Sequence, residues 1–295
     1  MKKISGLDFG EGILNGGSLF MHELKRGNSE LGKRIVRSNS DMMFAGVVAG
    51  NNTGRIWIDD LENPISALVW SDGLGCFQFM GCHTNKAFVD AFRSFFDSTI
   101  ISFLKEKNLQ CFKYAADTEE WYPIINNIFS GYDINEDWQY VYRSDGNTPK
   151  EDKIVLPESY YLHKVDISLF AGMNNSLKIS NQEILIDYIN QFWGSIDNYL
   201  SLGTGYLITN DDKIVSFALS TGLYEKTVSV GVETLSSHRR KGLAGIVVKT
   251  LLNELHEMNY NVWWDCMASN IASQKTVESA GLQIDHKYKV CWFDI

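Results

Sequence analysis

Three consecutive cations, Arg239-Arg240-Lys241, followed by Gly242-Leu243-Ala244-Gly245, are the residues of this 295-residue chain best suited by type and spacing to chemistry. They lie between an apolar, strand-like run that ends near Thr234 and a long amphipathic stretch from about Leu243 to Met258. Val247, Leu251, Leu255 and Met258 recur on one face of that stretch, so a helix is expected there. The first backbone N–H groups of a helix have no intrahelical acceptor, and the helix dipole makes them attractive to anions. Gly242 and Ala244 keep bulky side chains away, so a diphosphate could reach the backbone, and the three cations add attraction for a further phosphate. The segment is not a nucleotide P-loop, because no G-x-x-x-x-G-K-[ST] occurs. Gly73/Gly75 and Gly203/Gly205 supply only G-x-G, short of a dinucleotide fingerprint. No G-x-S-x-G elbow supports serine-hydrolase chemistry.

The elements that must hold this loop can be read on both sides of it. Strands are expected at Gly205 to Thr209, Ile214 to Ser220 and Thr227 to Thr234, with Asn210-Asp211-Asp212 turning between the first two. After the long helix come a strand from Asn261 to Cys266, a helix from Asn270 to Ala280 stopped by Gly281, and a strand from Tyr288 to Phe293. The order from Gly205 is β-β-β-α-β-α-β, an α/β layout with a mixed sheet. An extended piece at Tyr160 to Val165 and a helix at Asn181 to Trp193 precede it.

The first half repeats the plan. Residues 18 to 45 read as helical; strands are expected at Arg55 to Ile58, Ile65 to Trp70 and Cys76 to Met80, with Asp72-Gly73 as a hairpin corner. A helix capped by Asn85 carries Phe88, Phe92, Phe95, Ile100 and Phe103 near one face. A strand at Cys111 to Ala115, a helix opening at Thr118 and a strand around Trp138 to Tyr142 follow. Residues 144 to 157 are mostly polar and hold two of the four prolines, which suggests domains at 1–150 and 158–295.

Composition narrows the class. A hydrophobic content of 44% and a charged content of 21% suit globular domains. The formal net charge of −9 argues against a general nucleic-acid partner. Five cysteines, an odd number, do not read as a disulfide framework, and Cys76, Cys82 and His83 match no zinc spacing, so no metal is expected. Met1-Lys2-Lys3 lacks an apolar stretch behind it, and the apolar run from Met42 to Gly50 is too short to span a bilayer. A cytoplasmic protein without a membrane partner is the expectation; oligomeric state is not readable.

Arg239-Arg240-Lys241-Gly242-Leu243-Ala244 resembles the [RQ]-x-x-G-x-[GA] signature of the GNAT acyltransferase superfamily. The strand before it, the helix after it, the next strand, then Asn270-x-x-Ser273 and Gly281 extend the likeness over roughly residues 160 to 295. The phrase Asn63-Pro64-Ile65-Ser66-Ala67-Leu68-Val69-Trp70 makes the whole chain look like the two-part members that include zwittermicin A resistance acetyltransferases. The resemblance implies a GNAT fold in the second half, preceded by an α/β domain of degenerate GNAT-like type. It implies acetyl transfer from acetyl-CoA, a co-substrate, to a primary amine of a small molecule. Backbone groups of Val232 and Thr234 would pair with the pantetheine arm, and N–H groups from Arg240 through Leu243 to Gly245 would hold the diphosphate. Asn270 would meet the pantetheine or thioester region, and Ser273 would bind nearby. Strands ending at Thr234 and beginning at Asn261 would splay around the thioester, with the N–H near Thr234 stabilising the oxyanion.

The attacking amine must be neutral, and Glu233 and Asp265 are the carboxylates placed to take its proton. Many family members carry a tyrosine that protonates the leaving thiolate; the matching residue here is Val277, which leaves Tyr288, Cys266 or water for that step, or a thiolate that departs unaided. The loop Gly81-Cys82-His83-Thr84-Asn85-Lys86 lacks the cation cluster, so one coenzyme per chain is expected. The alternatives are a non-catalytic module that binds CoA or a metabolite, and a protein or peptide N-acetyltransferase.

Overall fold

The computed structural model of the protein describes residues 21–24, 26–144, 155–175 and 178–295. In chain order the elements are β1 (His22–Leu24), α1 (Ser29–Ile35), α2 (Met42–Ala49), β2 (Gly54–Ile58), β3 (Ser66–Ser71), β4 (Cys76–Gly81), α3 (Lys86–Phe95), α4 (Ile101–Glu106), β5 (Cys111–Ala116), α5 (Trp121–Ile128) and β6 (Asn135–Arg143). They continue as β7 (Tyr160–Lys164), α6 (Ile167–Asn175), α7 (Gln182–Trp193), α8 (Ile196–Leu202), β8 (Gly205–Asn210), β9 (Lys213–Tyr224), β10 (Thr227–Thr234), α9 (Leu243–Glu257), β11 (Asn261–Met267), α10 (Ile271–Ser279) and β12 (Gln283–Asp294). A π-helical turn, Phe96–Ile100, joins α3 to α4, and a 3-10 turn, Ser236–His238, precedes α9. The class is mixed α/β, as the alternation of hairpins and helices predicts.

Two compact units divide the chain. The first comprises residues up to 138 together with Tyr288–Ile295; the second is Gln139–Lys287. The sequence suggests a division between residues 150 and 158, and residues 145–154 of that stretch lie outside the described residues. The compact units are cut elsewhere because strand pairing, not linker composition, decides membership. Residues 139–143 of β6 pair antiparallel with β11 of the second unit. Residues 290–294 of β12 pair antiparallel with β5 of the first.

Each unit follows one plan: an antiparallel β-β-β run, then a helix that returns to a parallel strand. In the first unit β2–β3–β4 are antiparallel and β4 is parallel to β5. In the second β8–β9–β10 are antiparallel and β10 is parallel to β11. The aromatic stripe Phe88, Phe92, Phe96 and Phe103 packs on Phe77, Phe79 and Phe112 in the first unit. A separate cluster there joins Leu31, Ile35, Phe44, Val47 and Val48 of α1 and α2 to Ile56, Ile58, Val69 and Met80. Of the stretch 18 to 45 expected to be helical, residues 18–20 and 25 lie outside the described residues. The rest forms not one helical region but β1 and two short helices, broken where Asp41 caps α2 by accepting from Met43 N at 2.7 Å. In the second unit Val247, Leu251 and Leu255 face the core as the spacing predicts. Met258 does not: it is the C-cap of α9 and 47% exposed, because the helix ends one residue before it.

Candidate active site

The loop before α9 is shaped by backbone conformation. Arg240 (φ +62°) and Gly242 (φ +77°) both adopt left-handed geometry, which swings the chain from the 3-10 turn into the helix. Gly242 is the N-cap and offers no side chain to close the helix end. The first turn closes where Ile246 N donates to Gly242 O at 3.2 Å, so the N–H groups of Leu243, Ala244 and Gly245 precede the hydrogen-bonded turn. A Cβ built on Gly242 or Gly245 would meet no protein atom within 4 Å, so the space above these amides is open. A cleft of about 680 Å³ occupies that space.

The strand facing this helix end contributes backbone. β10 pairs with β11 only from Thr227↔Asn261 to Ser229↔Trp263, and a bulge at Ser229/Val230 bends it there. From Val230 to Thr234 its outer edge is therefore parted from β11. Leu235 N donates to Val215 O at 2.9 Å, and alternation along the antiparallel pair then sends Glu233 and Gly231 N–H toward β9. The N–H groups of Val232 and Thr234 point outward, into the gap. Thr234 O accepts from Arg239 Nε at 3.2 Å, so this carbonyl is engaged by the loop itself.

Val232, Glu233, Thr234, Arg239, Arg240, Gly242, Leu243, Ala244, Gly245, Asn270 and Ser273 all line the one cleft. Lys241 and Asp265 do not. Lys241 turns to Tyr160, its Nζ donating to the phenol oxygen at 2.9 Å. Asp265 Oδ2 accepts from Gln139 Nε2 across the β11–β6 pair. Asn270 Oδ1 caps α10 by accepting from Ser273 N at 3.1 Å, and Ser273 Oγ accepts from Trp264 Nε1 at 3.0 Å. Sequence reasoning missed His238, Ala272, Lys275, Thr276 and Ser279, which also line the cleft. The last four recur at i, i+3, i+4 and i+7 on α10, a polar helical face legible in the sequence.

The acid–base groups separate clearly. Glu233 is exposed at the cleft. Val277 is fully buried, so nothing in the last helix supplies a proton at that point. Burial pushes the Cys266 thiol above its usual range, and Tyr288 belongs to the other unit, donating to Asp41 Oδ2 at 2.7 Å. Tyr188 of α7 packs on Phe192 and Phe217, and its hydroxyl reaches β10 at Gly231, where an added Cβ would fall 1.9 Å from it. Burial, then the nearby Glu233 charge, raises its pKa well above the ordinary phenol range. Among the described residues no group of three His, Cys, Asp or Glu side chains could hold a metal, and no helix is long and apolar enough to cross a membrane.

An uncapped helix start facing a parted pair of parallel strands suits a ligand that joins an anionic group to an extended arm. The sequence pattern of the GNAT acetyltransferase family matches residues 33–291, and the chain belongs to that family. It is 20% identical over 240 residues, covering 80% of this chain and 84% of the relative, to a Bacillus subtilis (strain 168) protein named "Uncharacterized N-acetyltransferase YdfB". Among solved structures, a GCN5-related N-acetyltransferase-like protein from Streptococcus suis 89/1591 shares the fold with a TM-score of 0.61 and 20% identity, over 90% of this chain and 100% of that one. A tandem GNAT protein from the clavulanic acid biosynthesis pathway aligns with a TM-score of 0.59 and 10% identity, over 88% of this chain and 89% of that one.

Proposed function

We propose that this acetyltransferase moves the acetyl group of acetyl-CoA to a primary amine of a small molecule. The observation that carries the reading is the meeting, in one cleft, of the uncapped amides of α9 with the outward N–H groups of Val232 and Thr234. The first would hold the diphosphate and the second would receive the pantetheine arm and the thioester oxygen. Glu233 would take the proton of the attacking amine, because it lines the cleft whereas Asp265 is held by Gln139. The leaving thiolate would take its proton from water, since Val277 offers none. Asn270 and Ser273 would bound the pantetheine side. Self-protection against an amine-bearing antibiotic is a finer proposal, resting only on the resemblance to zwittermicin A resistance acetyltransferases around Asn63 to Trp70.

Calorimetry with CoA tests the reading, and thiol release from acetyl-CoA in the presence of a panel of primary amines tests the transfer. Binding of one coenzyme per chain is expected. In the first unit Asn85 caps α3 and Asp117 takes the Gly81 N–H, so the corresponding groups are already satisfied. No association with CoA would end the proposal; two coenzymes per chain would end the account of the first unit.

A further inference from the structure

A hydrogen-bonded chain that the proposed transfer leaves unused reaches the cleft at His238. Lys241 Nζ donates to Tyr160 OH at 2.9 Å, and that oxygen lies 3.1 Å from His238 Nδ1. The Tyr160 and His238 rings meet edge-on with centroids 5.9 Å apart, and Lys241 Nζ lies 5.7 Å from the Tyr160 ring centre. Tyr160 opens β7, so this strand pins the loop on both sides of Arg239 and Arg240.

Counting protons sets the direction of each bond. An ammonium only donates, so the Tyr160 oxygen accepts from Lys241. The phenol proton then goes to His238 Nδ1. The reverse assignment would load two bonds onto the phenol oxygen and leave its proton without a protein acceptor. Burial, and then the Lys241 charge, hold the imidazole pKa below its usual range, while Asp211 acts weakly the other way. His238 is therefore neutral, with its proton on Nε2, and it lines the cleft beside both arginines. Its Nε2 has no protein partner among the described residues.

The geometry points to His238 as a phosphate-binding residue whose Nε2–H donates to a phosphate oxygen of the coenzyme, with Tyr160 and Lys241 as positioning residues that fix its tautomer. This rests on the coenzyme reading above. It also gives the third cation of the triplet a role of its own, since Lys241 acts through Tyr160 and His238 rather than on the ligand.

The test is calorimetric titration of the full chain with CoA and with 3′-dephospho-CoA. A hydrogen bond to a charged group sets the scale, so His238→Leu is expected to weaken CoA binding roughly ten- to a hundredfold. His238→Gln carries an amide N–H at similar reach and is expected to stay within about threefold of the parent. Tyr160→Phe keeps the ring but loses the fixed tautomer. It is expected to cost about three- to tenfold in affinity, and the imidazole nitrogen resonances of His238 should move from a single Nε2–H form to a mixture. Equal losses for the two ligands would place the contact on the diphosphate; a loss confined to CoA would place it on the 3′-phosphate. Should His238→Leu fail to fold, Tyr160→Phe and the resonances decide. Wild-type affinity in folded Tyr160→Phe and His238→Leu, or an Nδ1–H tautomer in the parent, would overturn the inference. Absence of CoA binding by the parent would instead overturn the coenzyme reading beneath it.

Discussion

Replacing Gly242 by glutamate separates what the loop does for the fold from what it does for a ligand. Gly242 sits at φ +77°, where an L-residue costs about 1 kcal/mol. A Cβ there meets no protein atom, so no steric penalty is added. The new carboxylate lies at an uncapped helix N-terminus, which returns about 0.3–1 kcal/mol through the dipole. The net loss of stability is then under about 1 kcal/mol, a fall in Tm of roughly 1–4 °C for a unit of this size. Binding responds very differently. A carboxylate about 5 Å from a phosphate charge is repelled by about 3 kcal/mol per charge pair at an effective dielectric of about 20. Even after partial screening by salt, at least about a hundredfold loss of CoA affinity is expected. Gly242→Ala carries the strain without the charge and should keep affinity within about tenfold. Thermal melts and calorimetry read both quantities on the same samples. A folded Gly242→Glu protein that binds CoA within threefold of the parent would refute the assignment of this helix start to phosphate.

Three other perturbations follow from the same structure. Gly245→Ala, in the first turn of α9, should stabilise the protein by about 0.5–1 kcal/mol through helix propensity while weakening CoA binding, because its methyl enters the cleft; unchanged or tighter binding would contradict this. Gly231→Ala should cost about 1–3 kcal/mol in urea denaturation, since Phe192 and Phe217 leave the Tyr188 ring little room to withdraw; adding Tyr188→Phe removes the clashing oxygen and should recover much of the loss, whereas simple additivity would refute the contact. Asp117, pushed up to about 6 by burial against an ordinary 3.8, binds more protons folded than unfolded between pH 4 and 6. Its contribution to stability therefore falls as pH rises through that window, by at most about 3 kcal/mol, and Asp117→Asn should abolish that fall. Urea midpoints of parent and variant at pH 4 to 7 give the difference, and a difference independent of pH would sink the argument.

The cleft before α9 is largely legible in the sequence because its parts obey local rules. A strand that ends, a run of cations, a glycine and an amphipathic helix follow one another along the chain, and eleven of the residues singled out, from their types and spacing or from the family resemblance, line that one cleft. What local rules do not show is where a side chain turns. Lys241 shares its composition signal with Arg239 and Arg240, yet Tyr160, some eighty positions earlier, draws it aside. Asp265 sits at the end of its strand as expected, yet Gln139 holds its carboxylate from β6. The helices α6 and α8 are not legible because each is short and weakly patterned. The edges of the two units are hidden for a related reason: β6 and β12 pair with strands distant in sequence.

The two units show how one β-β-β-α-β plan either leaves a gap open beside its third strand or closes it. In the second, parallel pairing stops at Ser229, and Val230 to Thr234 run on beside a parted neighbour. In the first, pairing continues to Phe79↔Ala116, Asp117 N adds a bond to Phe79 O at 3.0 Å, and only Met80 and Gly81 remain. The Gly81 N–H then meets not open space but the Asp117 carboxylate at 2.7 Å. The helix start differs in the same sense. Asn85 Oδ1 accepts from Phe88 N at 3.3 Å, and Asn85 Nδ2 is held by Asp59 Oδ2 at 2.7 Å, so a carboxylate stands beside the capped start of α3, whereas the corresponding start of α9 is uncapped. Anion-binding amides are strong only while unsatisfied, and a resident carboxylate both satisfies them and repels phosphate. On the proposed coenzyme reading, the first unit would fail to bind without any change of fold, because its own side chains engage the groups that a diphosphate and a thioester would otherwise use.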